Sequence, residues 1–208
     1  VFKIDKGLLQ QIGISTSNLN PKKIHIYGNG GNLLPVLNSD YRYQDLQENA
    51  IYIKGENDGV FDTDDYILFY GQGPHHWTTN PTTKTASHVQ NIYSDKAYYF
   101  ITVNELDGKR IQQKSPITSS TLQTITTFDE FVFYEKERTN IFATGTQWFG
   151  EDLSFENSTT VRIPFQKALV NSPLRLKVRG ATVSSSPSSM DVSLNSQNLF
   201  TINFPAVN

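Results

Sequence analysis

The sequence predicts an all-β protein, with two β-sandwich (jelly-roll-like) domains in tandem and few short helices. Thirteen Phe and ten Tyr among 208 residues favour strands, because aromatic side chains suit a pleated, half-buried surface. Short runs of alternating polar and apolar residues recur along the chain, and Gly, Pro, Asn and Ser separate them. Charged residues make up only 18% of the chain, so much of its polarity comes from uncharged side chains.

The first segments predict a strand, a short helix and a second strand. Residues 1–4 alternate as a strand does, and residues 7–14 are typical of a short helix that ends at Gly13. Residues 23–27 alternate again, and the glycine-rich run 28–32 predicts a loop because Gly and Asn tolerate a positive φ.

The middle of the first half predicts an antiparallel hairpin. Residues 46–50 suggest a helical turn, and the apolar runs 51–53 and 66–70 follow it on either side of an acidic connection. Residues 71–88 are rich in turn-forming types and predict a long loop. The run 98–103 is apolar and aromatic and predicts a strand.

A change of composition predicts a domain boundary. Between residues 112 and 127 aromatic residues give way to Ser, Thr and Pro. We therefore expect a β-rich N-terminal domain over 1–117 and a second β-sandwich over 125–208. Because Asn208 follows directly on a strand-like run, the second domain is expected to be truncated at its C-terminal end. Its predicted strands are 158–165, 174–180, 190–194 and 200–204.

Charge and composition argue against several classes of function. A formal net charge of -2 with scattered Lys and Arg gives no basic surface for a phosphate backbone, so we expect no nucleic-acid partner. No apolar run has the roughly 20 residues of a membrane-spanning helix. The chain has no Cys, so it contains no disulfide, no thiolate metal ligand and no cysteine nucleophile.

The acidic hairpin loop, residues 54–65, is the densest group of carboxylates. Counted from its first residue, Glu56, Asp58, Asp62 and Asp65 occupy positions suited to the oxygen ligands of a calcium loop. However, a lysine stands at the first ligand position, and the flanks resemble strands rather than helices. The alternative interpretation is an acidic turn in which Asp side chains cap backbone amides. Calcium is therefore a possible cofactor, and both interpretations stay open.

Histidines and tryptophans form weaker candidate sites. His75, His76 and Trp77 could bind a metal or a sugar ring, but adjacent side chains usually diverge. We interpret this run as a loop in which Trp77 closes the end of a core. His25, in an alternating strand, is expected to face solvent. Trp148 and Phe149 could stack on sugars, although such aromatics more often belong to a sandwich core.

Four phrases carry a family resemblance when taken in order. They are residues 24–31, 58–62, 65–74 and 91–100. Together they resemble the region that precedes the peptidase domain in the PorU family, the gingipain-type cysteine peptidases that act as sortases of the Bacteroidetes type IX secretion system. The resemblance is strongest between about residues 24 and 110 and weaker beyond them.

The resemblance implies a cell-surface or outer-membrane protein, on the extracellular face, whose parent removes C-terminal sorting signals from secreted cargo and attaches the cargo to the surface. The catalytic Cys and His would lie beyond Asn208, so this segment would be a non-catalytic accessory or interaction region. Its implied partners are the peptidase domain of its own chain, outer-membrane secretion proteins, secreted cargo and a glycan or lipopolysaccharide. The alternative is a carbohydrate-binding β-sandwich module of a secreted protein, in which calcium bound to the acidic loop could orient the sugar.

Overall fold

The computed structural model describes residues 1–120, 123–145 and 147–207, and the fold is all-β. The chain divides into two compact units, Val1–Asp129 and a second unit from Glu130 onward. The division into a domain over 1–117 and a second domain over 125–208 stays a prediction.

Short antiparallel sheets account for the regular structure, together with one helix, α1 (Lys6–Gln11), and one 3-10 turn (Pro21–Lys23) in the described residues. The strands are β1 (Phe2–Asp5), β2 (Ile24–Tyr27), β3 (Glu48–Asn49), β4 (Ile51–Lys54), β5 (Tyr66–Phe69), β6 (His76–Asn80), β7 (Thr85–Val89), β8 (Phe100–Val103), β9 (Ser188–Leu194) and β10 (Gln197–Phe204). Within the described ranges no helix is long and apolar enough to cross a membrane.

Helix α1 has a defined start and end. The Asp5 carboxylate accepts a hydrogen bond from the Leu8 amide at 2.9 Å, which satisfies one of the amides left free at a helix N-terminus. Leu9 is fully buried, and the helix gives way to Gly13, whose φ of +89° suits glycine. The predicted short helix is confirmed.

The first sheet has the strand order β1-β5-β4. Ile67 in the central strand pairs with Ile4 on one side and with Ile53 on the other, and all three side chains are buried. The hairpin predicted from residues 51–53 and 66–70 is confirmed. Its register is fixed because a slip of one residue would turn these isoleucines to the opposite face.

The second sheet has the order β3-β2-β8. Ile26 in the central strand pairs with Ile101 and with Asn49. The predicted helical turn over 46–50 is wrong, since Glu48 and Asn49 form a strand against β2. Cross-strand pairing decides the conformation of this segment, which is too short for its local preference to prevail.

A separate hairpin joins β6 to β7. The predicted loop over 71–88 is therefore wrong in its second part. Threonines in both strands favour extended backbone, and the Asn80 carboxamide oxygen accepts hydrogen bonds from the amides of Thr82 and Thr83 within the turn.

The hydrophobic core of the first unit lies between its two three-stranded sheets, α1 and the acidic loop. Its buried apolar side chains are Ile4, Leu9, Leu19, Ile24, Ile26, Ile51, Ile53, Phe61, Ile67 and Phe69.

The second unit is organised around the β9–β10 hairpin. Met190 pairs with Ile202, and the register shifts between Asn198 and Phe200. The strands predicted over 190–194 and 200–204 are confirmed. Those predicted over 158–165 and 174–180 are wrong in this structure, because these runs lack the pairing that defines a strand. No described side chain of this unit is buried.

Candidate functional site

The acidic loop 54–65 connects β4 to β5 and is anchored by Phe61. The Phe61 side chain is fully buried, and its amide donates to the carbonyl of Leu19 at 2.8 Å. Burying a Phe side chain contributes about 1.5–3 kcal/mol. The loop is thus attached to the core at one apolar residue, and the carboxylates are arranged around that attachment.

Glu56 makes an ion pair with Arg110. The distance from Arg110 Nε to Glu56 Oε2 is 2.7 Å, and both side chains are about three-quarters removed from solvent. Arg110 also donates through Nη2 to the carbonyl of Pro21 at 2.9 Å. The sequence did not identify this partner, which follows the loop at a separation of 54 residues.

Asp58 stabilises a local turn. Its Oδ1 accepts a hydrogen bond from the Val60 amide at 3.0 Å, and Gly59 between them has a φ of +81°. This is the geometry of an Asx turn, in which an aspartate side chain replaces a backbone carbonyl.

Asp65 is buried at the end of the loop. Its Oδ2 accepts from the Asp62 amide at 2.8 Å. Gly55 lies directly against the carboxylate, so a Cβ built on that glycine would fall 1.7 Å from Asp65 Oδ1. The close approach of Gly55 lets the loop close over a buried carboxylate.

Three of the four predicted calcium ligands, Glu56, Asp58 and Asp65, therefore contact different partners. Glu56 contacts an arginine, while Asp58 and Asp65 accept from backbone amides. Among the described residues no three His, Cys, Asp or Glu side chains are grouped so that they could hold a metal ion. Calcium binding by Glu56, Asp58, Asp62 and Asp65 stays a prediction.

His75, His76 and Trp77 lie at the start of the β6–β7 hairpin. His75 Nδ1 accepts from the Asn91 amide at 3.2 Å, and the ring centroids of His75 and His88 are 6.1 Å apart. Trp77 meets the His88 ring edge-on at 5.1 Å and is 39% exposed. The interpretation of Trp77 as a residue that closes the core is therefore wrong.

The second unit contains a polar cavity of about 260 Å³. Glu151 is part of its lining, and the hydrogen bond from the Tyr134 hydroxyl lowers the pKa of that carboxyl, with Lys136 adding to the effect. The cavity is lined chiefly by Arg138, Thr139, Glu151, Asp152, Glu156 and Ser158. Such a surface offers hydrogen-bond donors and acceptors to a hydroxyl-rich ligand.

Trp148 and Phe149 precede the lining residue Gly150 in the sequence, and the two aromatic residues differ in their surroundings. Trp148 is partly exposed. Phe149 has the Arg179 guanidinium 5.9 Å from its ring centroid, and its backbone pairs with Thr139. Trp148 is therefore the better placed of the two to stack on a sugar ring.

Glu137 lies outside the lining of that cavity. Burial raises the pKa of its carboxyl, and the neighbouring Glu135 raises it further. A carboxyl with a raised pKa beside one with a lowered pKa can mark an acid and base pair. Glu151 lines the cavity and Glu137 does not, so the cavity does not bring such a pair together.

His25 is only 3% exposed, so its predicted exposure to solvent is wrong. Its Nδ1 lies 2.7 Å from Glu48 Oε1, and its Nε2 lies 3.1 Å from the carbonyl oxygen of Leu106. The alternation of β2 predicts a polar face, but residues 104–110 cover that face. Neither partner of His25 is close to it in the sequence.

No protein-family model, curated protein or solved structure matches the chain.

Proposed function

We propose that the chain is a non-catalytic N-terminal accessory and interaction region of a cell-surface type IX secretion sortase. The parent enzyme would remove C-terminal sorting signals from secreted cargo and attach the cargo to the cell surface. One observation carries the proposal: three of the four segments that resemble the sortase family contribute buried residues to the core of the first unit.

Three of the resembling phrases contribute buried residues to one core. Residues 24–31 supply Ile24 and Ile26 in β2, residues 58–62 supply Phe61, and residues 65–74 supply β5. Core residues are constrained together by packing, since the protein interior is as dense as an organic crystal. An ordered resemblance at such positions supports descent of the whole unit from one ancestor.

The second unit supports the interaction part of the proposal. None of its described side chains is buried, and a two-stranded hairpin is marginally stable by itself. Several of its apolar side chains are largely exposed, among them Phe155, Leu169, Val170, Leu174 and Val183. In the proposed arrangement the peptidase domain of the same polypeptide covers them, and the runs 158–165 and 174–180 pair as strands of a completed jelly-roll sandwich.

A binding experiment tests this arrangement. The 208-residue chain is titrated with the separately produced peptidase domain of its parent in a calorimeter, and we expect saturable binding. Val170 and Val36 are each 98% exposed, one in each unit, and form a matched pair. Val170→Asp should weaken binding at least about tenfold, because an unpaired buried carboxylate is costly. Val36→Asp should leave the affinity unchanged, and equal weakening by both variants would contradict the assignment.

An activity assay tests the non-catalytic part of the proposal. The purified chain is incubated with a fluorogenic peptide that carries a C-terminal sorting signal, and the full parent enzyme serves as the positive control. We expect cleavage by the parent and none by the chain. Cleavage by the chain at a rate proportional to its concentration would show that the active site lies within these residues.

A second candidate function is a carbohydrate-binding module of a secreted protein, with calcium in the acidic loop as its candidate cofactor. The observation that favours it is the polar cavity of the second unit, together with the partly exposed Trp148, which lies two residues before the lining residue Gly150 in the sequence. A glycan array, read with and without calcium, would show binding that Trp148→Ala removes and Trp77→Ala retains. An array without signal in either condition would reject this candidate and leave the sortase region as the proposal.

A further inference from the structure

The two ring nitrogens of His25 both face hydrogen-bond acceptors. Nδ1 meets the Glu48 carboxylate at 2.7 Å, and Nε2 meets the Leu106 carbonyl oxygen at 3.1 Å. A neutral imidazole has one N–H and can donate to one of them, whereas the imidazolium donates from both nitrogens. Because the ring is buried, water cannot replace the bond that a neutral ring would lose. The ring can therefore donate both hydrogen bonds at once only when each nitrogen carries a proton.

We propose that His25 is a proton-dependent latch that holds the segment 104–111 against the second sheet. In its protonated form the ring joins β2 to Glu48 of β3 and to the backbone of Leu106. Loss of one proton removes one of these two donors.

The latch lies at the place where one segment joins both sheets of the first unit. The Gly108 amide donates to the carbonyl of Lys22 at 2.9 Å, and the Ile111 amide donates to the carbonyl of Ile51 at 2.9 Å. Gly108 approaches β2 so closely that a Cβ would lie 2.3 Å from the carbonyl oxygen of Ile24. Release of the segment would thus loosen the junction between the two sheets.

Glu48 connects the latch to a second point on the same segment. Its Oε1 accepts from His25 Nδ1 and also from the Lys109 amide at 2.7 Å. If the imidazolium lost its charge, the Lys109 amide would be the remaining described donor to this partly buried carboxylate.

The charged groups around the latch carry both signs. Glu48 faces His25 from β3. Tyr27 lies in β2, as His25 does, and its ring stacks on the imidazole with 6.0 Å between the ring centroids. Asp107 of the segment 104–111 forms an ion pair with Lys23 of the 3-10 turn, with 2.8 Å between Lys23 Nζ and Asp107 Oδ1. That pair neutralises itself, so Glu48 is the charge in direct contact with the ring.

The direction of the pH effect follows from the hydrogen bonds. The folded state favours the protonated ring, because that form alone satisfies both acceptors. Its stabilising contribution is therefore present while each ring nitrogen carries a proton, and it is lost when a rise in pH removes one of those protons.

The decisive measurement is nitrogen-15 NMR of the histidine rings in the full 208-residue chain. At pH 5.5 we expect both nitrogens of His25 to have the shifts of a protonated ring. As the pH rises, amide hydrogen exchange over 104–111, corrected for its intrinsic pH dependence, should accelerate about tenfold, the value of one lost hydrogen bond. A neutral tautomer of His25 at pH 5.5 would overturn the proposal.

Two variants separate the latch from a general effect of pH. In His25→Gln the side chain does not titrate, so exchange over 104–111 should become independent of pH after correction. His75→Gln removes a histidine from the β6–β7 hairpin and should retain the wild-type dependence. If His25→Gln does not fold, the nitrogen-15 shifts of the His25 ring in the wild-type chain are the measurement that tests the proposal. A pH-dependent exchange that persists in folded His25→Gln would also overturn the proposal.

Discussion

Arg110 Nε lies 2.7 Å from Glu56 Oε2, so a residue that follows the second sheet holds the acidic loop of the first sheet in place. The same guanidinium donates to the Pro21 carbonyl and thereby reaches the turn before β2. One arginine thus joins three segments that are distant in the sequence. Its contribution to stability can be measured separately from any role of the loop in binding.

Replacement of Arg110 should destabilise the first unit. Arg110→Met leaves Glu56 without its cation, and we expect the free energy of unfolding to fall by about 1–2 kcal/mol, a modest value because both side chains keep some solvent. Urea unfolding followed by fluorescence measures this change. Arg42→Met, in an exposed loop, is the control and should change the free energy of unfolding by less than about 0.5 kcal/mol. Equal effects of both variants would contradict the structural role of the pair.

Two glycines of the acidic loop form a matched test of its backbone. Gly55 and Gly59 both have a positive φ, +90° and +81°. A Cβ at Gly55 would collide with the Asp65 carboxylate, whereas a Cβ at Gly59 would meet open space. We expect Gly59→Ala to cost about 1 kcal/mol and Gly55→Ala about 3 kcal/mol. Similar values from chemical denaturation would show that the loop does not close on Asp65.

Calcium titration decides between the two interpretations of the acidic loop. Because the predicted ligands contact separate partners, we expect no saturable heat when calcium is added to the chelator-treated chain, and no change in Tm. Saturable binding with a raised Tm, lost in Asp58→Asn and Asp62→Asn but retained in Asp107→Asn, would establish the calcium site instead. Such a result would require the loop to rearrange on binding.

The Lys23–Asp107 pair predicts a pH effect of opposite sign to that of the His25 latch. The hydrogen bond from Lys23 and its charge lower the pKa of the Asp107 carboxyl below its ordinary value. A depressed pKa stabilises the folded state above that value, and the contribution is lost as the pH falls through the folded-state pKa. Asp107→Asn should therefore lower the Tm slightly at pH 7 and leave it unchanged once the wild-type carboxyl is protonated.

Melting curves of Asp107→Asn and the wild type at several pH values measure this difference. Asp40→Asn removes an exposed carboxylate from another loop and is the control. A deficit of Asp107→Asn that grows in acid would show that the pair does not stabilise the fold.

Local patterns predicted strands with near and with distant pairing partners, since the predictions over 1–4, 23–27 and 98–103 correspond to β1, β2 and β8, which pair with strands far away in the sequence. The β4–β5 hairpin and the strands β9 and β10 follow from alternation and apolar runs joined by turns. The prediction failed over 46–50, where pairing with β2 determined the backbone conformation. It failed also in the second part of 71–88, where pairing between the threonine-containing strands β6 and β7 determined it. The prediction of a strand over 174–180 also failed. Alternation of polar and apolar residues suits the two faces of a strand, but it does not provide the neighbouring strand whose backbone N–H and C=O groups must pair with it.

For the candidate site, the sequence identified the acidic loop and offered the capping of backbone amides by its Asp side chains, which Asp58 and Asp65 show, but it did not identify Arg110 as the partner of Glu56. Composition and charge by themselves determined that the chain is rich in strands, lacks thiol chemistry and carries no basic field. The tertiary structure alone decided that Glu56 faces Arg110, that Asp65 is buried against Gly55, and that His25 lies between two acceptors. The physical reason is that hydrophobic alternation acts within a few residues, whereas burial and hydrogen-bond partners depend on segments that meet only after the chain has folded.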